Sequence, residues 1–165
     1  MDTISVGIIT VSDKGSRGER VDASGPVIEE MIRQIGGRME KYVIVPDEKP
    51  DIKNAIIDMS DKLGLNLVLT TGGTGFSQRD VTPEATLEVI ERHVPGIPEA
   101  MRARSLLVTP KAMLSRAQAG IRKQTLIINL PGSPKGVREN LEVILPALRH
   151  GIEILKGQAS ECGGK

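Results

Sequence analysis

Apolar residues occur in two different patterns along this chain. Four short runs are almost entirely apolar, at Ile4–Val11, 41–45, 65–70 and Thr125–Leu130. Runs of this length without a polar face are typical of strands buried on both sides of a sheet. Between them, apolar residues recur every three or four positions, which is the period of an amphipathic helix. The alternation predicts an α/β fold with a mostly parallel central sheet and right-handed crossover helices.

Start and stop signals place five longer helices between and after these strands, and residues 110–116 are assigned to a short helix and its exit. Residues 24–26 (SGP) open the first helix, and the glycines at 36–37 end it. Thr82 is expected to cap the third helix, with Pro83 in its first helical position. The other predicted helices start near residues 50, 99 and 137, and the last continues through Pro146 to Leu155.

The remaining stretches are assigned from composition and spacing. Residues 12–18 are predicted to form a polar loop and residues 95–98 a turn, while 119–122 pairs beside the fourth strand. Helical spacing puts Leu63 and Leu87 among the apolar positions of the second and third helices. The two histidines, His93 and His150, are assigned to helices.

Composition excludes several functions. Lys plus Arg is 22 and Asp plus Glu is 21, so we expect no general attraction to nucleic acid or to an anionic membrane. One Tyr, one Phe and no Trp are too few aromatic faces for stacking single-stranded nucleic acid. No apolar run approaches a membrane span, no leader precedes the first strand, and one cysteine allows no intrachain disulfide. We therefore expect a cytoplasmic protein with one domain over residues 1–165, ending in a tail at about 157–165.

The stretch 70–83 (TTGGTGFSQRDVTP) lies between a predicted strand and a predicted helix. Gly72, Gly73 and Gly75 allow positive φ and leave no Cβ to keep a ligand from the main chain. Backbone N–H groups in such a loop can form an anion-binding concavity, and Thr74 adds a hydroxyl. The pattern favours phosphate or another polar ligand, and a glycine-rich turn without a ligand remains the alternative.

Four loops follow predicted strands, and in a parallel sheet they meet at one edge where ligands bind. Among the acidic residues of these loops, Asp47 and Asp80 are the two candidate catalytic aspartates. Two carboxylates beside a phosphate-binding loop suit Mg²⁺, which would neutralise charge on a transferring phosphoryl group. Asp47 can instead be a turn residue, and Asp80 can pair with Arg79 or cap the next helix. The loop at 12–18 is equally consistent with a solvated connection and with a ligand-binding loop.

Nucleophilic catalysis by the protein is poorly supported. Cys162 lies in the predicted tail, and neither histidine has an obvious partner in the sequence. The patterns CxxC, HExxH and GxSxG are absent, which disfavours zinc-hydrolase and serine-hydrolase chemistry. The P-loop pattern GxxxxGK[ST] is also absent, so the GGTG stretch is not a Walker loop.

Five motifs occur in one order along most of the chain. They are TVSD at 10–13, VPD at 45–47, TTGGTG with RDVTPEAT at 70–75 and 79–86, LSR at 114–116, and NLPGSP at 129–134. Together they resemble the molybdopterin adenylyltransferase family of molybdenum-cofactor biosynthesis, which includes the G domains of gephyrin and its homologues. The resemblance covers residues 4 to about 155.

This resemblance implies a three-layer α/β/α sandwich that assembles as a homotrimer. The implied reaction uses ATP with Mg²⁺ to adenylylate the terminal phosphate of molybdopterin and releases pyrophosphate. Asp47 and Asp80 match the family's catalytic aspartates, and both are assigned to the metal. The implied substrate-binding residues are Ser12, Asp13, Thr71, Gly72, Gly73, Thr74, Gly75, Ser115, Pro131 and Gly132.

Three points stay open at this stage. Ser115 can be a helix-end hydroxyl as well as a contact to the pterin. A downstream partner that inserts molybdenum is compatible with the resemblance. A non-catalytic molybdopterin-binding homologue or scaffold domain of the same fold is the alternative function, and the presence of both Asp47 and Asp80 favours the enzyme.

Overall fold

The computed structural model describes residues 2–158, which contain one six-stranded sheet. The strands are β1 (Ile4–Val11), β2 (Gly37–Val45), β3 (Leu67–Thr71), β4 (Arg92–His93), β5 (Ala119–Arg122) and β6 (Thr125–Leu130). They lie in the order β2-β1-β3-β6-β5-β4. Strands β2, β1, β3 and β6 are parallel to one another, whereas β5 is antiparallel to β6 and β4 is antiparallel to β5. The mostly parallel sheet is therefore confirmed.

Helices cover both faces of the sheet. The α-helices are α1 (Asp13–Ser16), α2 (Ser24–Ile32), α3 (Lys49–Ile57), α4 (Thr82–Val89), α5 (Gly96–Leu106) and α6 (Pro134–Leu155). Helices α2, α5 and α6 pack on one face, and α3 and α4 pack together on the other. The result is the three-layer α/β/α sandwich that the motif resemblance implies.

The near-continuous apolar runs are explained by two cores that share the sheet. Successive residues of a strand point to opposite faces. Ile8 and Ile128 accordingly belong to the core under α2, α5 and α6, whereas Ile9 and Ile127 belong to the core under α3 and α4. Each central strand therefore needs apolar residues at both alternating sets of positions, and β1 and β6 have the predicted bounds.

Several predicted boundaries are wrong by a few residues. The loop after β1 contains the one-turn helix α1, because the Ser12 hydroxyl accepts a hydrogen bond from the Gly15 N–H at 2.9 Å and caps it. The predicted turn at 95–98 is already part of α5, which begins at Gly96. His93 lies in the exposed strand β4 and not on a helix.

Two leucines assigned to apolar helix faces are exposed. Leu63 follows a π-helical turn at Asp58–Lys62, and the longer turn breaks the helical period that placed Leu63 on the apolar side. Leu87 in α4 is 38% exposed, while its neighbours Ala85 and Val89 are buried. Ala85 and Val89 are four positions apart, and they lie on the buried side of α4 as predicted.

Helix α6 continues through Pro146 as one helix of 22 residues. After it, the N–H groups of Gly157 and Gln158 bond back to Ile154 and Glu153 at 3.0 and 2.9 Å. The rest of the predicted tail, including Cys162, lies outside the described residues. Within residues 2–158, no helix has the length and apolar character needed to cross a membrane.

Candidate functional site

Four loops meet at the carboxyl edge of the four parallel strands, as the sequence predicts. The Ser12 N–H bonds to the Val45 carbonyl at 2.9 Å and ties the loop after β1 to the end of β2. The Thr71 hydroxyl donates to the Pro131 carbonyl at 2.7 Å and ties the loop after β3 to the loop after β6. Hydrogen bonds between neighbouring strand ends therefore hold the four loops around one edge of the sheet.

Asp13 and Asp47 are joined by two reciprocal hydrogen bonds. The Asp13 N–H donates to Asp47 Oδ2 at 2.9 Å, and the Asp47 N–H donates to Asp13 Oδ1 at 3.0 Å. Arg79 grips the Asp13 carboxylate with Nε and Nη2 at 3.0 and 2.9 Å and reaches Glu48 with Nη1 at 2.8 Å. Arg79 therefore pairs with Asp13 across the edge and not with Asp80, the partner in the alternative interpretation of Asp80.

This arrangement shifts the pKa values of Asp13 and Asp47 in opposite directions. The Arg79 guanidinium and the Asp47 N–H lower the pKa of Asp13. Burial raises the pKa of Asp47, and the negative charges of Asp13 and Asp80 raise it further, against the opposing hydrogen bond from the Asp13 N–H. Asp47 is thus partly buried, and among residues 2–158 no cation directly contacts its carboxylate. An acid with a pKa raised in this way is typical of a functional site.

The glycine-rich loop is pressed against its neighbours. Gly72 and Gly73 have φ of 98° and 71°, which L side chains rarely adopt. A Cβ on Gly72 would lie 2.5 Å from the Val11 carbonyl oxygen, and one on Gly73 would lie 2.3 Å from Thr82 Oγ1. Because the Gly72 N–H already bonds to the Leu130 carbonyl at 3.2 Å, an anion here has to be bound by N–H groups further along the loop.

Thr82 supports this loop and does not cap the helix. Its hydroxyl donates to the Gly72 carbonyl at 2.9 Å, and its N–H donates to the Gly73 carbonyl at 3.2 Å. The residue at the cap of α4 is Val81, whose side chain makes no capping bond. Thr82 is completely buried, so α4 is fixed to the glycine loop by its first residue.

Two cavities flank the glycine loop, and the predicted site residues divide between them. The smaller cavity, of about 520 Å³, contains both catalytic candidates and is lined, among the predicted residues, by Ser12, Asp47, Thr71, Gly72, Gly73, Asp80 and Gly132. The larger cavity, of about 640 Å³, is lined, among the predicted residues, by Thr74, Gly75, Ser115 and Pro131. Ser133 lines both, and Asp13 contacts the smaller cavity only through its bonds to Asp47.

The smaller cavity is bordered by two carboxylates next to the glycine loop. Asp47 Oδ1 lies 3.4 Å from the position of a Cβ on Gly73, and Asp80 Oδ2 lies 3.0 Å from that of a Cβ on Gly75. Both carboxylates therefore border the glycine loop from the same cavity. Among residues 2–158, no group of three or more His, Cys, Asp or Glu side chains is placed to hold a metal. A cation here would need oxygens from a bound phosphate, which is how Mg²⁺ is commonly held.

Ser115 lies where both of its predicted roles are possible. It ends the 3₁₀ helix Pro110–Leu114, with its N–H bonded to the Ala112 carbonyl at 3.1 Å, and it lines the larger cavity. Arg102 reaches the Ser115 and Ala117 carbonyls at 3.4 and 3.1 Å and holds this segment against α5. Ser115 is therefore both a helix-end residue and a cavity residue.

The sequence reasoning missed Asp22, which lines the smaller cavity. Its carboxylate accepts hydrogen bonds from the Thr10 hydroxyl at 2.8 Å, from the N–H groups of Ser24 and Gly25 at 3.0 Å each, and from the Tyr42 hydroxyl. Burial and the bond to Asp22 raise the pKa of Tyr42 to about 12. An Asp two residues before a helix start was the available signal, since such a side chain bonds the first helical N–H groups.

Comparisons with known proteins agree with this geometry. The family described as "Probable molybdopterin binding domain" matches residues 7–150. The molybdopterin adenylyltransferase of Helicobacter pylori (strain J99) is 42% identical over 167 residues, covering 100% of this chain and 95% of that protein. Gephyrin of Dictyostelium discoideum is 47% identical over 163 residues, covering 93% of this chain and 23% of gephyrin.

A solved structure extends the agreement to three dimensions. The molybdopterin biosynthesis enzyme MoaB of Thermus thermophilus matches with a TM-score of 0.90 at 50% identity, covering 96% of this chain and 100% of that one. The motif resemblance is thereby confirmed at the level of both sequence and fold. This chain belongs to the family of probable molybdopterin binding domains.

Proposed function

We propose that this protein transfers the adenylyl group of ATP to the terminal phosphate of molybdopterin and releases pyrophosphate. The support is twofold: relatives with the name molybdopterin adenylyltransferase align over the whole chain, and two aspartates border a glycine loop in one cavity. The second observation carries the proposal, because a phosphate-binding loop beside carboxylates is what phosphoryl chemistry requires.

In the proposed reaction, the molybdopterin phosphate is itself the nucleophile. Its oxygen forms a bond to the α-phosphorus of ATP, the bond from that phosphorus to the bridging oxygen breaks, and pyrophosphate leaves. No protein side chain has to form a covalent intermediate, which fits a site that lacks cysteine and histidine among its described lining residues. The protein contributes by positioning the two phosphates and by neutralising their charge.

The chain's own groups divide this work between them. We assign the binding of phosphate oxygens to the main-chain N–H groups of residues 73–75, two of which are glycines without a Cβ to keep a ligand away. The two cavities meet at Ser133. We assign the phosphates to the smaller cavity and the pterin to the larger one, where Ser115 and Thr74 offer hydroxyls. The reacting atoms would then lie at the glycine loop between them.

Asp47 and Asp80 are the residues proposed to hold Mg²⁺ together with substrate phosphates. The ion, when bound, would offset negative charge on the phosphates as pyrophosphate leaves. The raised pKa of Asp47 fits this role, because an ionised acid without a cation in direct contact gains most from one.

A homotrimer is proposed as well, with the whole chain acting as one domain in the cytoplasm, where ATP is available. The proposal of assembly is supported by exposed apolar side chains near the larger cavity, which a monomer would leave in water. Leu107, Val108 and Met113 are 76%, 63% and 64% exposed. A partner protein that inserts molybdenum stays part of the proposal, without a surface assigned to it.

The direct test combines purified protein with molybdopterin, ATP and Mg²⁺. Pyrophosphate release that requires both substrates, together with formation of adenylyl-molybdopterin by mass spectrometry, is the expected result. Omitting molybdopterin controls for contaminating ATP hydrolysis. Tight molybdopterin binding without pyrophosphate release would instead identify a non-catalytic binding protein of this fold.

A further inference from the structure

Arg116 connects two parts of the site that the sequence treats separately. Its Nε donates to the Gly75 carbonyl at 2.8 Å, and its Nη2 donates to the Asp80 carbonyl at 2.7 Å. These two carbonyls are the first and last of the segment 75–80. One guanidinium therefore holds both ends of the loop that leads from the glycines to Asp80.

The loop between those two carbonyls closes on itself. The Asp80 N–H donates to the Ser77 carbonyl at 2.9 Å, and Asp80 Oδ2 accepts from the Ser77 N–H at 3.0 Å. These local bonds fix the direction of the carboxylate relative to its own turn. They do not fix the turn relative to the sheet. The pairing of the exposed Arg79 side chain with Asp13 and Glu48 supplies one constraint of that kind, and the bonds from Arg116 to the main chain at both ends of the segment supply another.

The third contact of Arg116 anchors the guanidinium itself. Its Nη1 pairs with Glu84 Oε1 in the first turn of α4, while Glu84 Oε2 is buried without a hydrogen-bond partner among residues 2–158. The guanidinium side chain is 33% exposed, so solvent only partly screens the pair. Three acceptors in three directions match the planar donor fork of arginine, and a lysine ammonium cannot reproduce that geometry.

The main chain of Arg116 extends the connection to the larger cavity. Its N–H donates to the Thr74 carbonyl at 2.9 Å, and its neighbour Ser115 lines the larger cavity. The same residue thus contacts Thr74 on one side of the glycine loop and Asp80 on the other. Asp80 lines the smaller cavity, which Arg116 itself does not line.

We infer that Arg116 is a positioning residue for adenylyl transfer, which fixes the Asp80 carboxylate against the smaller cavity by bonding both ends of segment 75–80. This inference rests on the proposed function. Because Arg116 acts through Asp80 and does not touch the phosphates, its loss should affect turnover more than nucleotide binding. A displacement of about 1 Å in a catalytic group can cost on the order of 100-fold in rate.

The chain offers a matched control in Arg122. Its Nε and Nη2 bind Asp61 at 2.9 and 2.7 Å, and its Nη1 donates to the Val89 carbonyl at 2.9 Å. Like Arg116, it joins one carboxylate to the main chain of another element, but it does so away from both cavities. Arg116→Lys and Arg122→Lys therefore make comparable structural changes in different places.

The experiment measures kcat and KM for ATP by pyrophosphate release, well below the melting temperature of each variant. Arg116→Lys is expected to lower kcat on the order of 100-fold with little change in KM, and Arg122→Lys to keep kcat close to the wild-type value. If Arg116→Lys does not fold, Glu84→Gln removes the anchoring charge and keeps the guanidinium. It should then lower kcat in the same direction by a smaller factor.

The outcomes separate the two proposals. An active wild type in which Arg116→Lys and Arg122→Lys have equal kcat would overturn the positioning role and leave the proposed function intact. A KM for ATP that rises while kcat stays constant would also overturn it, since that result indicates a binding contact. A wild type that releases no pyrophosphate would overturn the proposed function and this inference with it.

Discussion

The pKa values of two aspartates are shifted in opposite directions at the two edges of the sheet. At the carboxyl edge, burial and two neighbouring carboxylates raise the pKa of Asp47. At the amino edge, Asp61 is bound by Arg122 through two hydrogen bonds, and this arginine, helped by Ser60 and Lys123, lowers the pKa of Asp61 to about 2. The surroundings of Asp47 disfavour its ionised form, whereas Arg122 stabilises the ionised form of Asp61.

The packing around the backbone also differs between the two edges. Gly73, at the carboxyl edge, leaves no space for a Cβ, whereas Gly64, near the amino edge, has a similar positive φ with open space around it. The carboxyl edge therefore combines close packing around Gly73 with a charge on Asp47 that no cation in direct contact balances among the described residues, and the positions Gly64 and Asp61 near the amino edge have neither feature. Perturbed acids cluster at functional sites, so we expect the carboxyl edge to serve function and the Arg122–Asp61 pair to serve stability.

The largest effect should follow from replacing Asp80. Asp80→Asn removes a charge from the smaller cavity and is expected to lower turnover by roughly 100 to 1,000-fold, the range found when a single electrostatic group of an active site is lost. Molybdopterin should still bind, because the glycine loop is unchanged. Pyrophosphate release and molybdopterin titration measure the two quantities, and unchanged turnover would remove Asp80 from the catalytic site.

Asp47→Asn should lower turnover and raise stability together. The amide still accepts the bond from the Asp13 N–H, so we expect a smaller loss than for Asp80, on the order of 100-fold. Since the folded-state pKa is raised, the ionised form of Asp47 destabilises the protein above that pKa, and a neutral side chain removes this cost. Thermal unfolding at pH 7 should show a higher melting temperature.

The same raised pKa sets a limit on activity at low pH. Activity should fall as Asp47 takes up a proton, and the midpoint should lie above the ordinary aspartate value of 3.8. The profile of kcat/KM against pH measures it. A midpoint of the acid limb at or below the ordinary value would contradict the raised pKa of Asp47.

Gly73→Ala and Gly64→Ala test the backbone comparison with one substitution. At Gly73 the new Cβ would meet Thr82 Oγ1 at 2.3 Å, so the loop must move and molybdopterin affinity should fall by roughly tenfold or more, equivalent to about 1.4 kcal/mol. At Gly64 only the conformational strain is added, and affinity should be unchanged. Equal affinities in the two variants would mean that the loop does not bind the substrate.

The smallest effect is expected from Asp61→Asn, which should lower the melting temperature slightly at pH 7 and leave turnover unchanged. Because the folded pKa of about 2 lies below the ordinary value of 3.8, the pair stabilises the protein above pH 3.8 and loses that contribution as pH falls through 2. The difference in melting temperature between wild type and variant should therefore disappear toward pH 2. A loss of turnover would contradict the separation of the two edges.

Much of the fold could be predicted because the pattern of apolar residues records burial directly. β1 and β6 have their predicted bounds, since a strand between two cores needs apolar residues on both faces. β2, at the edge of the sheet, was predicted four residues too short, because its exposed first half carries polar side chains. Leu63 was misplaced because a π-helical turn leaves no mark in the spacing.

Proximity of the site loops could also be predicted, but their contacts could not. The ends of parallel strands must meet at one edge, which brought Asp47 and Asp80 to one cavity. The partner of Arg79 is 66 residues away in Asp13, and Arg116 binds carbonyls that lie 41 and 36 residues earlier. Neither pairing has a local signal, because side chains of that length can reach several neighbours once the chain is folded.

The sequence by itself determined the α/β layering, the residues that meet at the carboxyl edge and the family to which the chain belongs. These follow from short-range patterns: apolar period, glycine placement and motif order. Only the tertiary structure decided that two cavities flank the glycine loop, that Thr82 supports this loop, and that the pKa of Asp47 is raised. Those properties depend on how segments far apart in the sequence pack together and on how much water this packing excludes. A local sequence pattern contains no information on either.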